Sequence, residues 1–171
     1  RARQAYRPEP LLIGEDQTIS SPYIVARMTE MLELKGREKA LEIGTGSGYQ
    51  AAVLSLLVPH VYSIEIRPSL ALSARKRLGD LGFSNVTILT GDGYKGWPSE
   101  APFDVIIVTA APPQVPDALV EQLAPGGRLV LPVGDTRRYQ ILTLIRKDEN
   151  GVVTREKGER VRFVPMIHKA E

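Results

Sequence analysis

The residues best suited to chemistry in this chain are a run of glycines and two acids that follow it. The run is Gly44-Thr45-Gly46-Ser47-Gly48, preceded by Ala40-Leu41-Glu42-Ile43 and followed at once by a helical pattern. Glycine takes φ > 0 readily and lets a ligand approach the backbone with no Cβ in the way. The first turn of the next helix offers free N–H groups to that ligand. Such a turn marks the nucleotide end of a Rossmann-like α/β domain. A dinucleotide fingerprint, G-x-G-x-x-G, needs its third glycine at position 49, where this chain has Tyr49. The spacing G-x-G-x-G disfavours NAD and suits the looser turn used for S-adenosyl-L-methionine (AdoMet), which has no pyrophosphate to cradle. A tight strand-to-helix turn with no ligand is the plainer alternative. Glu65 lies 17 residues past Gly48 and closes the apolar run Val61-Tyr62-Ser63-Ile64. An acid there can take both ribose hydroxyls, or it can be a solvated charge at a strand end. Asp92, within Thr90-Gly91-Asp92-Gly93, can accept from an adenine amine, or it can simply form an Asx-turn.

Alternating strands and helices must position these groups. Arg1 to Gly14 reads as an extended lead-in. Ser21 and Pro22 open a helix as N-cap and first residue, with Ile24, Val25, Met28, Met31 and Leu32 at helical spacing. Gly36 is expected to end that helix near Leu34. On local pattern, Ser20 and Ser21 are capping residues. Strands are expected over Glu38–Ile43, Val61–Glu65 and Val86–Leu89. Helices are expected over Ser47 to about Leu57 and from Pro68-Ser69 through Leu81. Phe103 to Val108 is almost wholly apolar, as a parallel strand buried on both faces should be. It ends at Thr109-Ala110-Ala111-Pro112, at a carboxyl strand end where ligands bind in open α/β sheets. A short helix from Pro116 to Leu123, a turn at Pro125-Gly126-Gly127 and a strand from Arg128 follow. Tyr139–Ile145, a hairpin turn at Asp148–Gly151 and a return at Val152–Thr154 make a β-rich end, with Arg162–Pro165 as a last strand or rim. The fold class is α/β, a doubly wound, mostly parallel Rossmann-like sheet with a β-rich C-terminal end.

Composition narrows the chemistry. The chain has 171 residues, a formal net charge of +2 and mixed charge runs, which suits a single domain, 1–171, with no demand for nucleic acid or membrane. The Arg75-Lys76-Arg77 run reads as a solvated helix face. There is no cysteine, so thiol catalysis and disulfides are excluded. His60 and His168 are far apart in sequence, which argues against a metal site or a Ser-His-Asp triad; no metal is expected. No apolar run approaches the ~20 residues that span a bilayer. A cytoplasmic monomer is the plain expectation.

The chain resembles the protein-L-isoaspartate O-methyltransferases over essentially its full length. The segments that carry the likeness are Gln17-Thr18-Ile19-Ser20, Leu41 to Gln50, Val61 to Glu65, Gly91-Asp92-Gly93, Ala101 to Pro112, Pro125 to Val133 and Val161 to Pro165. The glycine turn is common to many methyltransferases. The Gln17–Ser20 segment, the Thr109 loop and the Arg162–Pro165 end are more specific. The resemblance implies methylation of the free α-carboxylate of L-isoaspartyl residues in damaged proteins and peptides, the first step of their repair. AdoMet would be the donor and S-adenosyl-L-homocysteine (AdoHcy) the product. Ser20 matches the active-site serine and would orient the carboxylate. Glu42, Gly44, Thr45, Gly46, Ser47, Gly48, Glu65, Asp92 and Gly93 would hold the cofactor. Thr18, Ile19, Thr109, Arg162 and Val164 would frame the isoaspartyl unit.

Two departures from the family pattern stand out. About forty residues, helical in part, usually precede the segment that matches Arg1, and reduced activity or stability is the expectation where such a cover is missing. Glu15-Asp16 stands where the family tends to be neutral and glycine-containing; it would repel a carboxylate substrate or merely face solvent. Two other readings stay open on sequence. One is an AdoMet methyltransferase of another acceptor, such as a small molecule or RNA. The other is a silent module that binds AdoMet or isoaspartyl sites.

Overall fold

The computed structural model describes residues 11–168. Two short strands come first, β1 (Leu11–Gly14) and β2 (Gln17–Ile19). They form an antiparallel hairpin across Glu15-Asp16, both with positive φ (53° and 55°). Two consecutive left-handed residues are the geometry of a type I′ turn, which glycine and asparagine fill most easily. The extended lead-in is therefore a hairpin from Leu11 on, and its earlier part lies outside the described residues. The charged turn hides the hairpin signal because its residue types are unusual for this geometry.

Helix α1 (Pro22–Met31) starts as expected, with the Ser21 hydroxyl accepting from the Ile24 N–H at 3.4 Å. It stops at Met31, short of Leu34, because the chain turns left-handed at Glu33 (φ 49°). Arg146 pairs with the Glu33 carboxylate at 2.6 Å. Glu38 then gathers the N–H groups of Lys35, Gly36 and Arg37, closing the loop into the sheet.

The core is one seven-stranded sheet. Strands β3 (Lys39–Ile43), β4 (His60–Glu65), β5 (Val86–Thr90) and β6 (Phe103–Val108) are linked by α2 (Tyr49–Ser55) and α3 (Pro68–Asp80). Helix α4 (Asp117–Glu121) leads to β7 (Leu123–Val133), β8 (Gln140–Lys147) and β9 (Val153–Val161). The order across the sheet is β5-β4-β3-β6-β7-β8-β9. Pairs from β5 to β7 are parallel; β7–β8 and β8–β9 are antiparallel. The chain winds outward from β3 in one direction and from β6 in the other. The crevice between their carboxyl ends is the switch point where α/β sheets bind ligands. Ala40, Val105 and Ile107 pack under α1, α2 and α3, while Leu41, Ile43, Ile106 and Val108 pack on the opposite face with Leu119 and Leu129. Burial on both faces is what the continuous apolar run of β6 encodes.

Pro125-Gly126-Gly127 does not turn the chain. It is a bulge inside β7: between paired positions β6 advances from Phe103 to Val105 while β7 advances from Leu123 to Arg128. Gly126 (φ 75°) absorbs the extra length, as glycine commonly does in bulges.

Candidate active site

The glycine turn leaves β3 at the switch point and is held from both sides. The Gly44 N–H donates to Ile64 O at 2.8 Å, and the Thr109 N–H donates to Ile43 O at 2.9 Å. The Thr109 hydroxyl donates to Gly44 O (2.6 Å) or Ile43 O (3.1 Å). Gly44, Gly46 and Gly48 all have positive φ. Gly48 is the N-cap of α2, so that helix begins at Tyr49 rather than at Ser47.

Above this turn lies a crevice of about 710 Å³, open to solvent and walled by Gly44, Gly46, Glu65, Gly93, Thr18 and Thr109 among others. A second hollow lies beside it, lined by Ser20, Ile19, Thr45, Ser47, Tyr49 and Gln50. The two share Ile13, Thr18, Gly44, Gly46 and Thr109. They are neighbouring rooms with one common wall.

Glu65 is 5% exposed at the end of β4. Its Oε2 accepts from the Gly46 N–H at 2.8 Å and its Oε1 from the Arg67 N–H at 3.0 Å. A carboxylate offers about four acceptor positions, so two remain for ribose hydroxyls. The donor set fits AdoMet: an acceptor pair for a diol, apolar walls from Ile64, Leu70 and Met166, and a glycine backbone at the turn.

The structure places most sequence-selected residues on these walls and sets four elsewhere. Thr18, Gly44, Gly46, Glu65, Gly93, Thr109 and Val164 line the crevice; Ile19, Ser20, Thr45 and Ser47 line the second hollow. Gly48 instead faces Leu78 and Ala74, the nearest side chains to any Cβ there. Asp92 sits behind Gly93: its Oδ1 accepts from the Tyr94 N–H at 2.9 Å, and its Oδ2 is 3.3 Å from His168 Nδ1. The local turn role is thus present, and His168, stacked on Tyr94 at 3.8 Å, is an unforeseen neighbour. Arg162 is exposed and lines neither hollow. Glu42 is fully buried beneath the turn and lines neither.

Several wall residues escaped the sequence reading. Ile13 and Gln17 arrive through the hairpin. Pro165, Met166 and Ile167 arrive beside the expected Val164, because the Ala111 N–H donates to Val164 O (2.8 Å) and the Met166 N–H to Ala111 O (2.9 Å). Ile66 and Arg67 were legible in principle, as the two residues after a strand-end acid. Glu15 is exposed, as one of the two sequence expectations has it, and it also engages neighbours. Its carboxylate takes Ser69 Oγ at 2.7 Å and Arg67 Nη1 at 3.3 Å, pinning the hairpin to the start of α3.

Burial pushes the Glu42 carboxyl up to about 8, with the Glu65 charge adding to the rise and the Ser63 hydroxyl opposing it. A carboxyl raised in the folded state binds a proton that the unfolded chain gives up near the ordinary glutamate range. The stability this group contributes should therefore be greatest at low pH and fall from about pH 5 towards pH 8, by at most ~1.4 kcal/mol per pH unit. Urea unfolding of Glu42→Gln across that range should show this part of the slope gone; an unchanged slope contradicts the assignment.

The comparisons agree with this geometry. A sequence profile of the family described as Protein-L-isoaspartate(D-aspartate) O-methyltransferase (PCMT) matches residues 1–171. A protein-L-isoaspartate O-methyltransferase of Geobacter metallireducens is 60% identical over 169 residues, covering 98% of this chain and 77% of the relative. The enzyme of that name from Trichlorobacter lovleyi is 59% identical, covering 97% and 76%. A solved protein-L-isoaspartate O-methyltransferase superposes with a TM-score of 0.81 at 33% identity over 89% of this chain, which spans 49% of that longer one. A Plasmodium falciparum structure described as a putative protein of the same activity, in complex with S-adenosyl-L-homocysteine, also gives 0.81, at 24% identity over 96% of this chain and 85% of its own. With its glycine turn, strand-end acid and paired hollows in place, the chain belongs to the protein-L-isoaspartate O-methyltransferase family.

Proposed function

We propose that this chain transfers a methyl group from AdoMet to the free α-carboxylate of L-isoaspartyl residues in damaged proteins, with the two hollows as donor and acceptor rooms. The observation that carries the assignment of rooms is their shared wall at Gly44, Gly46, Thr18 and Thr109, with Glu65 in one and Ser20 in the other. AdoMet supplies an electrophilic methyl on a positively charged sulfur. The chain's own residues bind, aim and shield. Glu65 takes the ribose hydroxyls with the acceptor positions left beside Gly46 and Arg67. Gly44 and Gly46 keep the common wall thin. The hairpin side chain Ile13 and the Val164–Ile167 segment line the crevice and displace water from the ligand's flanks when it binds.

The acceptor carboxylate is ionised at neutral pH and requires no general base. Its need is orientation, and holding a reactant in line is worth orders of magnitude in rate. Ser20 is free for that task, since the helix cap is Ser21. Its hydroxyl donates to one carboxylate oxygen and leaves the other for attack. The Thr109 hydroxyl proton is already committed to backbone carbonyls, so Thr109 acts by fixing the wall. The partners are proteins and peptides carrying L-isoaspartate, and the setting is the cytoplasm, where AdoMet and ageing proteins meet.

The test is methyl transfer from labelled AdoMet to an isoaspartyl peptide and to its aspartyl isomer. The isoaspartyl peptide alone should be labelled; equal labelling of the two, or of neither, sinks the proposal. Ser20→Ala should lower kcat for that peptide by roughly 10–100-fold, the loss of one orienting hydrogen bond, and leave AdoMet binding intact. Full turnover by this variant would point to another acceptor.

A further inference from the structure

Glu42 belongs to the crevice without touching its wall. It precedes Ile43 and Gly44, which line the crevice, and its own side chain is fully buried on β3. Across the sheet it stands between Ser63 on β4 and Ile107 on β6. The Ser63 hydroxyl donates to Glu42 Oε2, and Thr45 Oγ1 lies 2.5 Å from Ser63 Oγ. Thr45 lines the second hollow, so two hydroxyls connect the buried carboxyl to an open wall. Glu42 Oε1 has no hydrogen-bond partner among the described residues. The Ala51 N–H of α2 favours the ionised form without reaching hydrogen-bond geometry. Gln50 Oε1, on the wall of the second hollow, is likewise buried with no donor, while its Nε2 donates to Thr29 of α1.

Among the described residues, the groups that act on Glu42 include no cation. Ser63 and Glu65 act on it from β4 and Ala51 from α2, Thr45 reaches it through Ser63, and β6 sets the apolar Ile107 beside it. Buried acceptors without donors are uncommon, and Glu42 Oε1 is one with a second carboxyl, Glu65, acting on it, which leaves a surplus of negative charge and acceptors beneath the site. An ionised Glu42 with one hydroxyl donor, next to Glu65, is costly unless a positive charge arrives. AdoMet carries such a charge on its sulfur; AdoHcy does not.

We propose that Glu42 is protonated in the free protein, gives up its proton when AdoMet binds, and takes one back once AdoHcy remains. This rests on the AdoMet site described above. Burial that sets the carboxyl near 8 puts the exchange within reach of neutral pH. The balance closes over a turnover. One proton leaves Glu42 for solvent on AdoMet binding. A carbon–sulfur bond breaks as a carbon–oxygen bond forms, cancelling the sulfonium charge against the substrate carboxylate charge. One proton then returns from solvent. Glu42 is thereby a specificity residue that favours co-substrate over product, and it does so more strongly as pH rises.

The test is titration calorimetry of the chain with AdoMet and with AdoHcy near pH 7, in two buffers of different ionisation enthalpy, repeated for Glu42→Gln. The ligands' own α-amino groups titrate near pH 8, so the decisive quantity is wild type minus variant. That difference should be about one proton released for AdoMet and none for AdoHcy, and wild-type AdoMet affinity should rise up to about tenfold per pH unit between about pH 6 and 8. Equal proton counts in the two proteins, or equal counts for the two ligands, overturn the inference while leaving AdoMet binding intact. Failure of the wild type to bind AdoMet overturns the cofactor assignment as well. Should Glu42→Gln not fold, difference infrared spectroscopy of the wild type reads the same event: AdoMet should bleach a protonated-carboxyl band that AdoHcy leaves in place, and an unbleached band overturns it.

Discussion

Glu65→Ala should weaken AdoMet binding by roughly a hundredfold, about 3 kcal/mol, the loss of two hydrogen bonds to a charged acceptor. Two routes lead to that loss. The direct one is the ribose: the carboxylate has acceptor positions to spare beyond the Gly46 and Arg67 N–H groups it already holds. The indirect one is the turn: without Glu65 Oε2 the Gly46 N–H loses its 2.8 Å partner, and the Ile13 contact above Gly46 loosens with it. A ligand lacking one ribose hydroxyl separates them. If the ribose route dominates, wild type should lose about tenfold on that analogue and Glu65→Ala almost nothing, since the partner is already gone. If both proteins lose the same factor, Glu65 works only by holding the turn. Glu65→Gln should fall between, because an amide keeps one acceptor oxygen and replaces the other with a donor.

What the sequence discloses follows from range. The parallel half of the sheet is read from local pattern because each strand is an apolar run and each crossover helix has its own start signal. The glycine turn and Glu65 belong to that half, and so their place at the crevice was legible. The hairpin of β1 and β2 was hidden because Glu15-Asp16 occupies a geometry usually marked by glycine or asparagine. The Pro125–Gly127 bulge was read as a turn because both use the same residues; only pairing with Phe103 and Val105 distinguishes them. Val164–Ile167 reaches the crevice through hydrogen bonds to Ala111, more than fifty positions earlier, a contact no local pattern announces. The resemblance named Ser20, yet the reason Ser20 is available lies in one neighbour: Ser21 does the capping. Glu42 shows the reverse limit. Its position in the motif was plain, but that it is buried and linked to the second hollow through Ser63 and Thr45 depends on the strand beside it.

Gly44→Ala should be among the costliest single methyls in the chain's cofactor site, because backbone strain and a side-chain clash coincide there. Its φ of 95° lies in the region L side chains rarely adopt, and a Cβ placed there would stand 2.5 Å from Thr109 Oγ1. Strain of that kind costs ~1–3 kcal/mol and overpacking a further ~1–3 kcal/mol. The clash has no easy relief, because the Thr109 hydroxyl is fastened to Gly44 O and Ile43 O. Moving it opens the seam between β3 and β6 that forms the switch point. The expected result is a loss of about 2–6 kcal/mol in urea unfolding together with AdoMet binding weakened beyond measurement. The double variant Gly44→Ala/Thr109→Ala removes the clash and keeps the backbone strain. It should recover part of the stability, so that the two substitutions couple favourably by at least ~1 kcal/mol. Additive losses would mean that the hydroxyl yields freely and that backbone conformation alone demands glycine at this position. A Gly44→Ala protein as stable as wild type would mean that the common wall of the two hollows tolerates a side chain, and the thin partition between donor and acceptor would lose its structural basis.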